Sequence, residues 1–169
     1  MNAEQIIRTY FSGEKSEAFL IVMAGVICLV AAVWLWFWIR EPFARGLAAA
    51  LLLTAALGLG VGGSVYFRTD KQVRQLLELR STDQARFAAD EGPRIHAVVK
   101  SFGQYRIGYA VAVILAMAFV FLVGKPLFQG LTVGLLVLAA LGFTIDFYAE
   151  ERAVQYVHAL ESTGVLGRQ

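Results

Sequence analysis

Gly46-Leu-Ala-Ala-Ala-Leu-Leu-Leu-Thr-Ala-Ala-Leu-Gly-Leu-Gly-Val-Gly-Gly-Ser-Val-Tyr-Phe67 runs without a formal charge and then turns at once into Arg68-Thr-Asp-Lys-Gln-Val-Arg-Gln-Leu-Leu-Glu-Leu-Arg80. At about 1.5 Å per residue the uncharged part makes a helix about 33 Å long, matching a hydrocarbon core of about 30 Å. The stretch predicts a bilayer-crossing helix that emerges as a charged one. Three more uncharged runs of similar length follow the same logic: Ala18 to Ile39, Ile107 to Gly124 and Pro126 to Ile145. With 58% hydrophobic residues in a 169-residue chain, against roughly 45–50% in soluble domains, the reading is an all-α membrane protein with four transmembrane helices. No room remains for a soluble domain of ordinary size.

Charge placement sets the expected orientation. The N-terminal segment holds Arg8 and Lys15, and the central one holds Arg68, Lys71, Arg74, Arg80, Arg86, Arg94, Lys100 and Arg106. The C-terminal one holds Arg152 and Arg168, while only Arg40, Arg45 and Lys125 lie on the other side of four spans. The bias of basic residues toward the cytoplasm then puts both termini of this multi-pass chain, and its central segment, inside. Trp34, Trp36 and Trp38 are expected at the outer headgroup level, and Pro42 and Pro126 open new helices after short outer turns. The first run is too long for the apolar core of a cleavable signal, and Glu4, Glu14 and Glu17 replace the usual basic start.

The segments around the spans carry helical periodicity. Ile6, Ile7, Tyr10 and Phe11 predict a short interfacial helix broken at Ser12-Gly13, and Ile95, Val98, Val99 and Phe102 predict a second, broken at Gly103. Val73, Leu76 and Leu77 form a stripe on the cytoplasmic helix 68–80, and Val154 and Val157 one on the helix 146–163. Ser81-Thr82-Asp83 is read as capping a short helix through Phe87 that Glu91-Gly-Pro93 ends, and 164–169 as a loose tail.

Setting Pro42 on Pro126 aligns Gly46 with Gly130, Leu47 with Leu131, and Ala55-Ala-Leu-Gly58 with Ala139-Ala-Leu-Gly142. The chain thus reads as two tandem parallel-repeat hairpins: 1–82, a linker 83–93, and 94–163. Two copies of the same orientation are related by an axis along the membrane normal. The expected product is a four-helix bundle in which Val73, Leu76 and Leu77 pack on Val154 and Val157.

Candidate chemistry is sparse. Gly58, Gly62, Gly130 and Gly134 lie within spans, where small residues let helix backbones approach; they suit packing within the bundle or against a partner's helix. The glycine pattern at 58–63 lacks the Lys-Ser/Thr of a phosphate loop. Asp146, at the inner end of the last span, is the one acid flush against an apolar run, and a proton or ion role competes there with a capping role. His96 and His158 have no ligand partner at helical spacing, Cys28 is alone, and Asp90-Glu91 and Glu150-Glu151 read as solvated pairs. No metal, cofactor or catalytic constellation is expected, and the mixed charges of the central segment suit lipid headgroups better than nucleic acid.

The short Arg40 to Arg45 turn, Lys125-Pro126, the central polar segment and the lack of chemistry give the chain a general build. In that build it resembles the small polytopic inner-membrane immunity proteins that protect bacteria from pore-forming effectors of type VI secretion. The resemblance implies non-enzymatic toxin neutralisation, with the Gly58/Gly62 or Gly130/Gly134 face occupying the toxin helix. A transporter using Asp146, or a scaffold or assembly factor using the Val73, Leu76 and Leu77 stripe, are the alternatives, and a homo-oligomer is compatible with each.

Overall fold

Asn2 opens the first helix with a reciprocal cap: its Oδ1 accepts from the Gln5 backbone N–H at 2.8 Å while its own N–H donates to Gln5 Oε1 at 3.2 Å. Two orphan N–H groups are thereby satisfied. The computed structural model describes residues 2–166, apart from the side chains of Phe121 and Leu122. The elements are α1 (Ala3–Trp34) closing in a π-helical turn (Leu35–Ile39), α2 (Pro42–Leu57), a π-helical turn (Gly58–Gly62), α3 (Gly63–Thr82), α4 (Gln84–Val123) and α5 (Pro126–Ser162). Four continuous helical rods result, each long and apolar enough to cross a membrane. Pro42 and Pro126 stand at the first position of α2 and α5, where a missing N–H costs nothing. At the same end, Arg40 and Gly124 terminate α1 and α4 in the left-handed region, with φ of 57° and 55°.

Several expected breaks are absent. α1 passes through Ser12-Gly13, and α4 passes through Gly92-Pro93 and Gly103. The expected linker 83–93 therefore contains a single non-helical residue, Asp83, whose side chain caps α4 by accepting from the Arg86 N–H at 2.9 Å. Helix-breaking tendency amounts to about 1 kcal/mol for glycine and about 3 for proline, and packing overrides it. Gly13 lies under Arg152, whose Cδ would stand 2.7 Å from a side chain's Cβ there. Pro93 is itself exposed, but the helix that carries it buries Phe87, Glu91 and Ile95, all at most 1% exposed, on another face.

The helices alternate in direction, so both termini and the α3–α4 corner meet at one polar end. There Ile6, Ile7, Tyr10 and Phe11 of α1 join Phe87, Ile95 and Phe102 of α4 and Ala153, Tyr156, Val157 and Leu160 of α5 in one core, with Val73, Leu76 and Leu77 of α3 packed on it. The two segments expected to lie flat on a bilayer instead continue their spans and face this core. A helix without a break cannot turn into the membrane plane. Burial of Phe11, Phe87, Ile7, Ile95 and Leu160 contributes about 1.5–3 kcal/mol each. The expected loose tail also begins inside it: Gly164 turns at φ 70°, and Val165 and Leu166 are buried, their N–H groups returned to the Leu160 carbonyl. Residues 167–169 of that tail lie outside the described residues.

The apolar half is ordered differently. Helices stand as α1, α2, α5, α4, with α2 and α5 central and α4 packed on α5. In a bilayer, hydrophobic burial would give no preference for helix over lipid there, and close backbone approach would have to hold the row.

Candidate functional site

Gly46 and Gly130 bring α2 and α5 together. A Cβ on Gly46 would overlap the Leu127 carbonyl and stand 2.8 Å from the Leu131 nitrogen; one on Gly130 would overlap the Phe43 carbonyl and stand 2.9 Å from the Leu47 nitrogen. Gly134 faces the buried Ala50. In the register that sets Pro42 on Pro126, Phe43 matches Leu127 and Leu47 matches Leu131, so each helix presents the same positions to the other. Gly58 lies on α1, 3.1 Å from the Ile21 carbonyl and 3.2 Å from the Gly25 Cα at the built Cβ, and Gly62 lies on Ala18 and Ile21. All four glycines named from the sequence therefore meet the chain's own helices. Between a partner and the bundle interior, the interior occupies them, because α2 is flanked on both sides by small residues: Cys28 and Ala32 of α1, Gly130 and Gly134 of α5.

The second hairpin differs from the first at matching positions. Where α1 has Gly25, α4 has Tyr109; where the first hairpin has Gly62, α5 has Asp146. The Tyr109 ring fills the space over Gly142, the counterpart of Gly58, and its hydroxyl donates to Asp146 Oδ2 at 2.9 Å. Arg106 donates to Glu150 Oε1 at 2.8 Å one turn nearer the polar end. A groove of about 580 Å³ opens between α4 and α5 beyond this cluster, lined by Arg106, Tyr109, Ala110, Val113, Ala139 and Phe143 among others. Asp146 thus has a specific partner, which sequence spacing alone could not pair with it.

A buried ionic cluster lies at the polar end. Glu91, 1% exposed, accepts two bonds from Arg94 at 2.6 Å each and one from the Tyr156 hydroxyl at 3.0 Å. The reading of Glu91 as solvated is thus corrected: it sits on the α4 face that also buries Phe87 and Ile95, a helical spacing that could have signalled it. Burial alone would lower the Arg94 pKa, but hydrogen bonding and charge from Glu91 raise it, so the guanidinium stays charged. Tyr156 stacks on Tyr10 at 4.3 Å between centroids, and burial, with the Glu14 and Glu91 charges, pushes the Tyr10 hydroxyl up to about 12. Beside it Arg152 pairs with Glu17 and lies over the Tyr10 ring. A groove of about 610 Å³ between α1 and α5 borders this cluster, with Tyr10, Gly13, Tyr148, Arg152 and Tyr156 on its walls.

Glu14 is the poorly matched member. Its Oε2 is buried without a hydrogen-bond partner among the described residues, and Arg68 reaches only to 3.9 Å. Burial raises its pKa against the lowering by Arg68, Arg94 and Arg152. A folded-state pKa above the unfolded one contributes stability at low pH that is lost as pH rises through the folded value. Glu14→Gln is therefore expected to melt above the native protein at pH 7, with the gap closing as pH falls into the acid range. Thermal denaturation in detergent across pH checks this.

His96 and His158 both approach Glu161, at 3.9 and 3.8 Å, in an exposed arrangement of the kind that solvent screens. Val73, Leu76, Leu77 and Val157 belong to the polar-end core or pack on it, and Val154 is partly buried. Cys28 is buried between α1 and α2. A comparison with protein-family models, with curated proteins and with solved structures finds no match.

Proposed function

We propose that the chain is a non-enzymatic, multi-pass protein of a bacterial inner membrane, with both termini cytoplasmic, that binds another membrane protein. In its most specific form it is an immunity protein neutralising a pore-forming toxin. The observation that carries the binding reading is the outward surface of α4. Of the described side chains from Tyr105 to Val120 only Ala116 is buried, and Ile107, Ile114 and Leu115 stand 68%, 66% and 64% exposed. The other spans each give a small-residue face to the bundle, whereas α4 leaves most of its girth free for lipid or a partner helix. The exposed ends of the rods are too short at the Arg40 turn and at Lys125 to offer a docking surface outside the membrane.

Against the scaffold alternative, Val73, Leu76 and Leu77 are partly buried and pack on the polar-end core. The transport alternative retains the Tyr109–Asp146 pair, but a second ionisable group deeper in the spans is absent among the described residues. The reciprocal Gly46 and Gly130 contacts support the tandem-repeat reading, with its axis between α2 and α5.

Ile107→Trp and Leu115→Trp alter the outward face while leaving the four glycine contacts and the α4–α5 groove in place. Under the immunity reading, cells making either variant at native level become sensitive to neighbours that deliver the toxin, whereas cells making the native chain survive. Full protection by both variants would remove α4 as the binding surface.

A further inference from the structure

We propose that the groove between α4 and α5 holds one acyl chain of a phospholipid whose headgroup carries a primary ammonium, with that headgroup seated on Arg106, Glu150 and Asp146. The inference rests on the bilayer reading of the four helices but not on the identity of any protein partner.

The groove exists because the second hairpin is wedged. In the first hairpin Gly25 and Gly58 touch backbone to backbone, and Gly62 closes on Ala18. In the second, the Tyr109 ring occupies the matching position and holds the helices apart over Gly142. From Arg106 to Ile114 the α4 wall runs for about 12 Å at about 1.5 Å per residue. Ala110, Ala139 and Ala140 keep the slot open, and Val113 and Phe143 line it with hydrocarbon. A slot between two helices in contact admits an alkyl chain more readily than a helix about 10–12 Å across.

Its polar end selects the headgroup. Arg106 is half exposed and uses one nitrogen on Glu150, leaving donors for a phosphate oxygen. Glu150 Oε2 and Asp146 Oδ1 accept no hydrogen bond from the described residues, and the three groups together sum to one negative charge. A purely anionic headgroup would meet this excess acid, and a trimethylated ammonium has no N–H to donate to it. A headgroup with one phosphate and one primary ammonium matches both signs and supplies donors to both carboxylates.

Native mass spectrometry of the full chain in detergent, with dioleoyl phosphatidylethanolamine, phosphatidylglycerol and phosphatidylcholine added in turn, tests the proposal. One phosphatidylethanolamine per chain should be retained about tenfold better than either of the others, the worth of one charge-assisted hydrogen bond. Asp146→Asn combined with Glu150→Gln should bring it down to the phosphatidylcholine level. Ala139→Phe should remove retention of all three, and Ala110→Leu, a smaller filling, serves if the first variant melts below the native chain. Equal retention of the three lipids, or retention unchanged in the variants, overturns the proposal. A chain that needs detergent yet retains no lipid also overturns it and leaves the bilayer reading standing, whereas a chain soluble without detergent removes that reading itself.

Discussion

Gly130→Ala is expected to lower the melting temperature in detergent by about 10 °C, and Gly130→Leu to prevent accumulation of folded protein. The added Cβ would coincide with the Phe43 carbonyl and approach the Leu47 nitrogen. Both are backbone atoms, which cannot rotate aside as a side chain can, so α2 and α5 must separate along their whole crossing. Overpacking against movable side chains costs about 1–3 kcal/mol, and at 2–4 °C per kcal/mol for a chain of this size the upper end of that range corresponds to about 10 °C. Gly46→Ala should match it, since its Cβ would coincide with the Leu127 carbonyl. The internal control is Gly60→Ala, where no described atom lies within 4 Å, and which should melt at or a few degrees above the native protein, because it removes a helical glycine without a clash. Equal melting of Gly130→Ala and Gly60→Ala would show that the two central helices do not meet at these glycines.

The second large effect is Arg94→Ala, expected to cost about 3–5 kcal/mol, because it leaves the Glu91 carboxylate buried without its counter-charge. Equilibrium unfolding in mixed micelles measures it. Tyr156→Phe removes one hydrogen bond to the same carboxylate and should cost about 1 kcal/mol. Arg86→Ala breaks a similar-looking pair with Asp90, but both side chains are more than 60% exposed, and a loss of at most about 1 kcal/mol is expected. Replacing Glu91 and Arg94 together by methionine should recover much of the Arg94→Ala loss, since an apolar pair of similar volume needs no compensating charge. A double variant as unstable as Arg94→Ala would mean that packing around the guanidinium stem, where Arg94 lies 5.8 Å from the Phe11 ring centroid, matters more than the charge.

The contrast between these two sites explains what could be read without coordinates. Long uncharged runs and the prolines after them identify four apolar helices, since length and charge are properties of each segment alone. That Gly58, Gly62, Gly130 and Gly134 mark close contact was equally legible, although Gly46, whose approach to α5 is as close as any, entered only through its alignment with Gly130. Which helix each glycine meets was not, because a small residue is a vacancy that any backbone can fill. The expected breaks at Gly13, Gly92-Pro93 and Gly103 failed for a related reason: local propensity is worth one to a few kcal/mol, and the polar-end core outweighs it. Glu91 was misread because Asp90-Glu91-Gly-Pro93 has the composition of a turn. Its burial follows from Phe87 and Ile95, four residues to either side on one helical face. The Tyr109–Asp146 bond joins residues from different helices, and only the register of α4 on α5 brings them together.

The placement of the four rods across a bilayer carries the whole account, and single cysteines introduced into a Cys28→Ala background test it most directly. Intact cells are treated with a membrane-impermeant maleimide, and labelling is compared with that after lysis. Cysteine at Arg40 or Lys125, at the Trp-rich end where α1 and α4 terminate, should react in intact cells, whereas cysteine at Asn2, Asp83 or Thr163 should react only after lysis. Labelling of Asn2, Asp83 and Thr163 in intact cells with Arg40 and Lys125 protected would reverse the orientation, and labelling on both sides within the set of polar-end positions would contradict the four-span arrangement itself.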